Sequence, residues 1–293
     1  MQVRWTSCYL ARESAQDISS RPVANENLLD PRVRNLVWRD LVTLSRTQVL
    51  CELVLVFPWL AGALVCAHFA GNTHWVFYGP ALVCSFIFFL TGLRVVHNGY
   101  HYALGISRRA TEWVIFGLSL LMGWPLHAVQ VNHLRHHKYC MEDEDIEAAS
   151  ARMSGWRALL FGPIFPFLLL GYGIYFGNPR KRQWIMWESL ALLSLLATAF
   201  LILDIHWLRF HICCMAIGEC LTAFFAVWTV HHDCERDHLF ARTLEGKWKN
   251  RLTFNMFLHM EHHLFPAVPT RNLPQLAERL GAAAPDLRGK EVF

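Results

Sequence analysis

Residues 53–70, LVLVFPWLAGALVCAHFA, and residues 75–93, WVFYGPALVCSFIFFLTGL, carry no charged side chain and are separated only by GNTH. The hydrocarbon core of a bilayer is crossed by about 20 apolar residues of helix. Each stretch therefore reads as a membrane span, and the pair as a helical hairpin. Residues 184–203 and 210–230 are of the same kind, interrupted only by Glu188 and Glu219, and DIHWLR joins them into a second hairpin. Two further apolar stretches are less regular. Residues 113–129 are short and contain Gly123, Trp124 and Pro125, whereas residues 156–176 are broken by Gly162, Pro163, Pro166, Gly171 and Gly173. Both read as interfacial or partly embedded helices. The expected fold is an all-α integral membrane protein with four transmembrane helices in two hairpins, interfacial helices and a histidine-rich cap.

Composition agrees with this reading. Of 293 residues, 54% are apolar and 17% charged, against about a quarter charged in soluble domains. A net charge of +4 is too mild to suggest a nucleic-acid partner. Nine cysteines form no CxxC pair, and residues 1–22 hold no apolar run suited to a signal peptide. With four spans, both hairpin linkers face one side and hold a single basic residue, Arg209, while the other 26 of 27 Lys and Arg face the opposite side. The positive-inside rule then expects the N-terminus, the C-terminus and the middle region in the cytoplasm. Counting residues 156–176 as a full span would export Arg180, Lys181 and Arg182.

Three segments follow. Residues 1–47 are polar and include PRVRNLVWRDLVTLSR at 31–46, whose spacing predicts an amphipathic helix lying either on the anionic leaflet or on the protein's own cap. Residues 48–270 form the membrane domain. Residues 271–293 form a tail in which PQLAERLG predicts a short helix ended by Gly281.

Sixteen histidines are unusual in so apolar a chain, and ten are clustered. His97 and His101 form HNGYH after the second span; His133, His136 and His137 form HLRHH; His259, His262 and His263 form HMEHH after the fourth span; His231 and His232 sit where that span ends. All ten fall on the expected cytoplasmic side or at its boundary. Residues three and four apart share a helix face, so HxxxH and HxxHH each aim several imidazoles at one point. Eight to ten ligands exceed the four of a structural zinc. Two metals fit the number, and imidazole suits iron, copper, zinc or nickel. His68, His74, His127, His206, His211 and His238 read as structural or exposed.

The order HxxxH, HxxHH, HxxHH resembles the membrane fatty acid desaturase and hydroxylase superfamily, and NMFLHMEHHLFPAVP at 255–269 is especially similar to its third histidine box. The resemblance covers roughly residues 50–280. It implies a di-iron centre, two iron ions with O2 as co-substrate, in a cytoplasmic cap on a four-helix stem. Carried over by position, the metal ligands are His97, His101, His133, His136, His137, His259, His262 and His263. One more ligand is expected near the exit of the fourth span, where His231 and His232 both fit and His232 is preferred. Asp233, Glu235 and Asn255 are candidate partners of the ligating imidazoles, with plain surface polarity an equal alternative. The acidic run Glu142, Asp143, Glu144 and Asp145, followed by Glu147, is expected to be a solvated loop.

The implied activity is an oxidoreductase reaction in which O2 and external electrons desaturate a lipid-like, fatty acyl substrate. The same centre could instead hydroxylate or ketolate a lipid, isoprenoid or small metabolite. Without a nicotinamide, flavin, iron–sulfur or haem motif in the chain, a separate electron donor is expected: a ferredoxin, rubredoxin or cytochrome with its reductase. A histidine-rich metal transporter is the remote alternative. Transporters place their ionisable ligands inside spans, where this chain offers only Glu52, Glu188 and Glu219.

Overall fold

The computed structural model describes residues 30–234, 241–287 and 289–292. Expectations that rest on residues 1–29, Glu235 and His238 lie outside the described residues. Among the described residues four helices are each long and apolar enough to cross a membrane: Arg46–Asn72, Trp75–Tyr100, Pro179–Ile202 and His206–His231, the first to fourth spans. The first opens with a capping box. Ser45 Oγ accepts from the Gln48 amide at 3.3 Å, and Gln48 Oε1 accepts from the Ser45 amide at 2.8 Å. Its hydrogen bonding is interrupted at residues 55 and 56, just before Pro58, which has no N–H to give.

Between the hairpins lie two bent helix pairs: Arg108–Met122 with Leu126–Tyr139, at 115°, and Gly155–Phe161 with Phe165–Phe176, at 66°. Gly123 ends the first limb in the left-handed region, with φ 80°, and Pro125 precedes the second limb. That conformation carries little penalty only without a Cβ. The bend sends Leu126–Tyr139 across one end of the bundle. There it lies directly on the second pair. A Cβ at Gly173 would stand 2.7 Å from Ala128 Cα, and Asn132 Nδ2 donates to the Leu169 carbonyl at 2.7 Å.

The first span packs along the second, the fourth against both, and the third against the first bent pair. Phe88, Val95, Val96, Ile115, Met122, Leu126 and Met215 form the core of this end of the bundle. Phe86, Leu193, Leu201 and Ile217 point outward and are exposed, which suits spans whose solvent is lipid. A second core, with Leu258, Phe265, Leu273, Leu276 and Leu280, builds the cap.

Two expectations about the cap are corrected. Residues 31–46 do not form one helix. They form one turn, Pro31–Arg34, and a 3-10 turn, Arg39–Val42, which ends at the extended Thr43 before Ser45 caps the first span. Val33 and Leu41 are buried against the cap core, so these residues pack on the protein. Nor does Gly281 end the last helix, which runs Leu273–Ala283. Leu280 is buried and its carbonyl accepts from Ala284 N, so packing carries the helix past the glycine.

The first bent pair is joined to the third span by a buried polar network. His127 Nδ1 lies 2.5 Å from Glu188 Oε1 and His127 Nε2 lies 2.6 Å from Glu112 Oε2. With a carboxylate at each ring nitrogen, the imidazole has the geometry of a double donor, that is, of an imidazolium. Ser119 Oγ and the His127 amide also donate to Glu188, and Lys181 Nζ donates to Glu112 at 2.7 Å. Trp184 stacks on the His127 ring, with centroids 5.1 Å apart.

Candidate metal centre

Each histidine group is delivered by a different device. His97 occupies the last turn of the second span, and His101 is its C-cap residue. His133, His136 and His137 lie on the limb Leu126–Tyr139 that the bend directs over the bundle. His259, His262 and His263 lie on a short helix, His259–Leu264, whose other face carries Met260 and Leu264 into the cap core. On that side Glu261 is buried, accepts from Thr243 Oγ1 at 2.9 Å, and has its carboxyl pushed up by burial to about 7.

The imidazoles meet in two adjoining groups: His97, His101, His133 and His262 in one, and His136, His231, His259 and His263 in the other. Within each group the potential ligand atoms all lie within 4.8 Å of one another. Nε2 of His133 is 3.0 Å from Nε2 of His101, and Nε2 of His231 is 3.1 Å from that of His136 and 3.0 Å from that of His259. His137 links the groups. Its Nε2 is 3.2 Å from His133 Nε2 and 3.0 Å from His262 Nε2, and its ring stacks on His263 at 4.3 Å.

A bare protein gives these rings too few partners. Among the described residues, His97 is buried with neither ring nitrogen bonded, and His262 Nδ1 likewise has no partner. Burial, then the neighbouring imidazoles, hold His259, His262 and His263 well below the usual histidine range. They are therefore neutral, which is the form that ligates metal. The donor set fits two cations that accept imidazole nitrogen, and iron is among them.

The far side of two rings is fixed by carboxylates. His136 Nδ1 lies 2.8 Å from Asp145 Oδ2, and His133 Nδ1 lies 2.8 Å from Glu147 Oε1. Asp145 also accepts from the amides of Met141 and Ala148, at 3.0 and 3.1 Å. Burial opposes its ionisation, but His136 and these amides outweigh burial and bring the carboxyl down to about 2. At Glu147 burial prevails and pushes the carboxyl up to about 8. The expected solvated loop is thus corrected at its inner end: Asp145 is buried and both acids face the centre. Such a partner sets the tautomer that leaves Nε2 free for metal. Asp145→Asn keeps the shape and removes that acceptor charge, so metal affinity or turnover should fall about 10- to 100-fold, read by metal titration of the purified variant.

Of His231 and His232, the structure brings the first, not the preferred second, to the histidine groups. His231 is buried inside the second group. His232 caps the helix outside it, with Nδ1 donating to the Trp228 carbonyl at 2.8 Å and its ring stacked on Trp228 at 3.8 Å. The π-helical stretch Ala223–Trp228 explains why simple periodicity cannot decide between them. One wide turn shifts the phase of everything after it. Asp233 is exposed at φ 53°, and Asn255 donates to the Thr270 carbonyl at 3.1 Å. Neither bonds an imidazole of the centre. The other eight expected ligands are all within the two groups or between them.

A sequence model of the family described as fatty acid desaturase matches residues 73–291 of this chain. No curated protein and no solved structure matches it significantly.

Proposed function

The chain belongs to the fatty acid desaturase family, and from that membership we propose that it is a di-iron enzyme that uses O2 and external electrons to desaturate a lipid-like, fatty acyl substrate. One observation carries this reading: nine histidines from four separate elements converge in one buried site at a single end of the bundle. A transporter would need its ligands within the spans.

In this proposal His97, His101, His133 and His262 hold one iron, His136, His231, His259 and His263 hold the other, and His137 lies at the boundary. Bound iron supplies the redox chemistry by which O2 takes hydrogen from an unactivated C–H bond. The protein's own groups do the rest. Asp145 keeps the proton of His136 on Nδ1, so that its Nε2 stays available, and Glu147 orients the His133 ring from the Nδ1 side. The hydrophobic core around Phe88, Ile115 and Met122 keeps water from the membrane side of the site. Introducing one double bond consumes two substrate hydrogens, O2, two electrons and two protons, and yields two waters. The electrons come from a separate ferredoxin, rubredoxin or cytochrome with its reductase, reaching a site that faces the cytoplasm with both chain termini.

The test combines metal and product. Reconstituted protein should hold two irons per chain, and lipids from cells expressing it should show species lighter by two hydrogens. A product heavier by one oxygen would make it a hydroxylase on the same centre. One zinc in place of iron, with no lipid change, would refute the proposal.

A further inference from the structure

A cleft of about 530 Å3 opens at the histidine-bearing end of the bundle, lined by Leu55, Arg94, Arg251, Phe254, Asn255 and Arg271. The volume is that of a small-ligand site. Its charge is unbalanced. Three arginines line the cleft, and Glu52, the buried carboxylate beside them, is bonded to two of the three. Arg94 grips Glu52 with two bonds, at 2.6 and 3.1 Å, and Arg271 reaches it through Nε alone, at 2.8 Å. Among the described residues the terminal nitrogens of Arg271, which lines the cleft, form no hydrogen bond. Arg251 forms no ion pair among the described residues; its guanidinium sits 5.9 Å from the Trp248 ring centre.

The floor of the cleft is backbone in a costly conformation. Phe254 and Asn255 are consecutive non-glycine residues with φ 52° and 64°. Arg94 Nη1 donates to the Phe254 carbonyl at 3.2 Å, and the Asn255 amide to the Asn250 carbonyl at 2.8 Å. Such backbone persists where the surroundings over-determine it, commonly at ligand sites. The cleft also sits close to the metal centre in the chain. Arg94 is one helical turn before His97, and Asn98 holds Thr270, the neighbour of Arg271, with two bonds of 3.0 Å.

The surroundings indicate the source of an anion. Trp248 and Leu252, one turn apart on Lys247–Leu252, are both 76% exposed, with Lys247, Lys249 and Arg251 beside them. A short element with exposed Trp and Leu among cations suits the boundary between acyl chains and head groups. Across the cleft the first span exposes Leu50 and Val54. A ligand held here would have its charge on the guanidinium groups and its chain beside apolar side chains.

We propose that this cleft binds the anionic head group, a carboxylate or a phosphate, of a lipid drawn from the bilayer, and that this lipid is the substrate of the histidine centre. Only the second half rests on the function proposed above. Guanidinium is suited to both anions because its N–H groups form paired, charge-assisted bonds.

The test is binding of labelled oleate to the full chain in phosphatidylcholine nanodiscs, without metal, with competing lipids. Oleate should bind saturably, with oleyl alcohol, the same chain without charge, about tenfold weaker. Arg251→Gln removes a group with no ion pair among the described residues and should weaken oleate about tenfold, whereas Arg251→Lys should restore part of the loss. Phosphatidylglycerol should compete and inorganic phosphate should not. Equal binding of oleate and oleyl alcohol, or unchanged binding by Arg251→Gln, would overturn the site. Phosphate competing as well as phosphatidylglycerol would overturn its lipid character. With iron and a donor present, Arg251→Gln should raise KM and leave kcat unchanged; an unchanged KM would overturn the substrate half. Lack of turnover by the parent protein would instead refute the proposed function and the substrate half, and leave the binding result standing.

Discussion

His136→Ala should abolish turnover and lower bound metal while the protein remains in the membrane. His136 is held through both ring nitrogens. Its Nε2 lies 3.1 Å from that of His231 and 3.2 Å from that of His263, and Nδ1 rests on Asp145. Truncation removes a donor and leaves Asp145, a buried carboxylate, facing the gap. Loss of a partner behind a ligand alone costs about 10- to 100-fold in metal affinity or activity. Removing the ligand should exceed that, with activity below detection and iron per chain reduced. The four helices that are each long and apolar enough to cross a membrane do not contain His136. Membrane fractionation together with iron analysis separates loss of the site from loss of the fold. Wild-type turnover by this variant would overturn its place in the centre.

The largest effect on stability is expected at His127, which the metal groups do not include. Its two ring nitrogens stand between Glu112 and Glu188, and the His127 and Glu188 side chains have no solvent exposure. His127→Leu fills much of the same space but leaves Glu188 with only Ser119 and a backbone amide as donors. Removing one partner of a buried ion pair costs about 3–5 kcal/mol, because the remaining charge is uncompensated. Replacing both partners by apolar residues is often close to neutral. Accordingly, His127→Leu should strongly lower the unfolding temperature in detergent, and adding Glu188→Leu should recover most of it. If the double variant is no more stable than the single one, the His127–Glu188 pair is not the cause.

The two networks differ in how far local sequence discloses them. The histidine boxes are periodic patterns within single helices. HxxxH and HxxHH place imidazoles on one helix face by geometry alone, and their position beside hydrophobic spans locates them along the membrane normal. The His127 network has no such pattern. Glu112, His127 and Glu188 come from three helices, separated by 15 and 61 residues. Only the 115° bend at Gly123 and the packing of the third span bring them together. Asp145 and Glu147 were hidden for a related reason. An acidic run after a histidine box looks like ordinary loop, and its inward turn depends on amides of Met141 and Ala148 that hold Asp145 beside His136.

The sequence by itself determined the four spans, the presence of two irregular apolar stretches between them, and eight of the histidines that meet. Hydrophobic length and helical period are local quantities, and a membrane leaves the backbone little choice but to satisfy its own hydrogen bonds. Tertiary structure decided which histidine of the pair at the fourth span turns inward, because a π-helical stretch resets the phase just before it. It also decided which acids support the imidazoles and which of the arginines gather around one buried glutamate. Those choices depend on contacts between residues far apart in the chain, where no periodicity reaches.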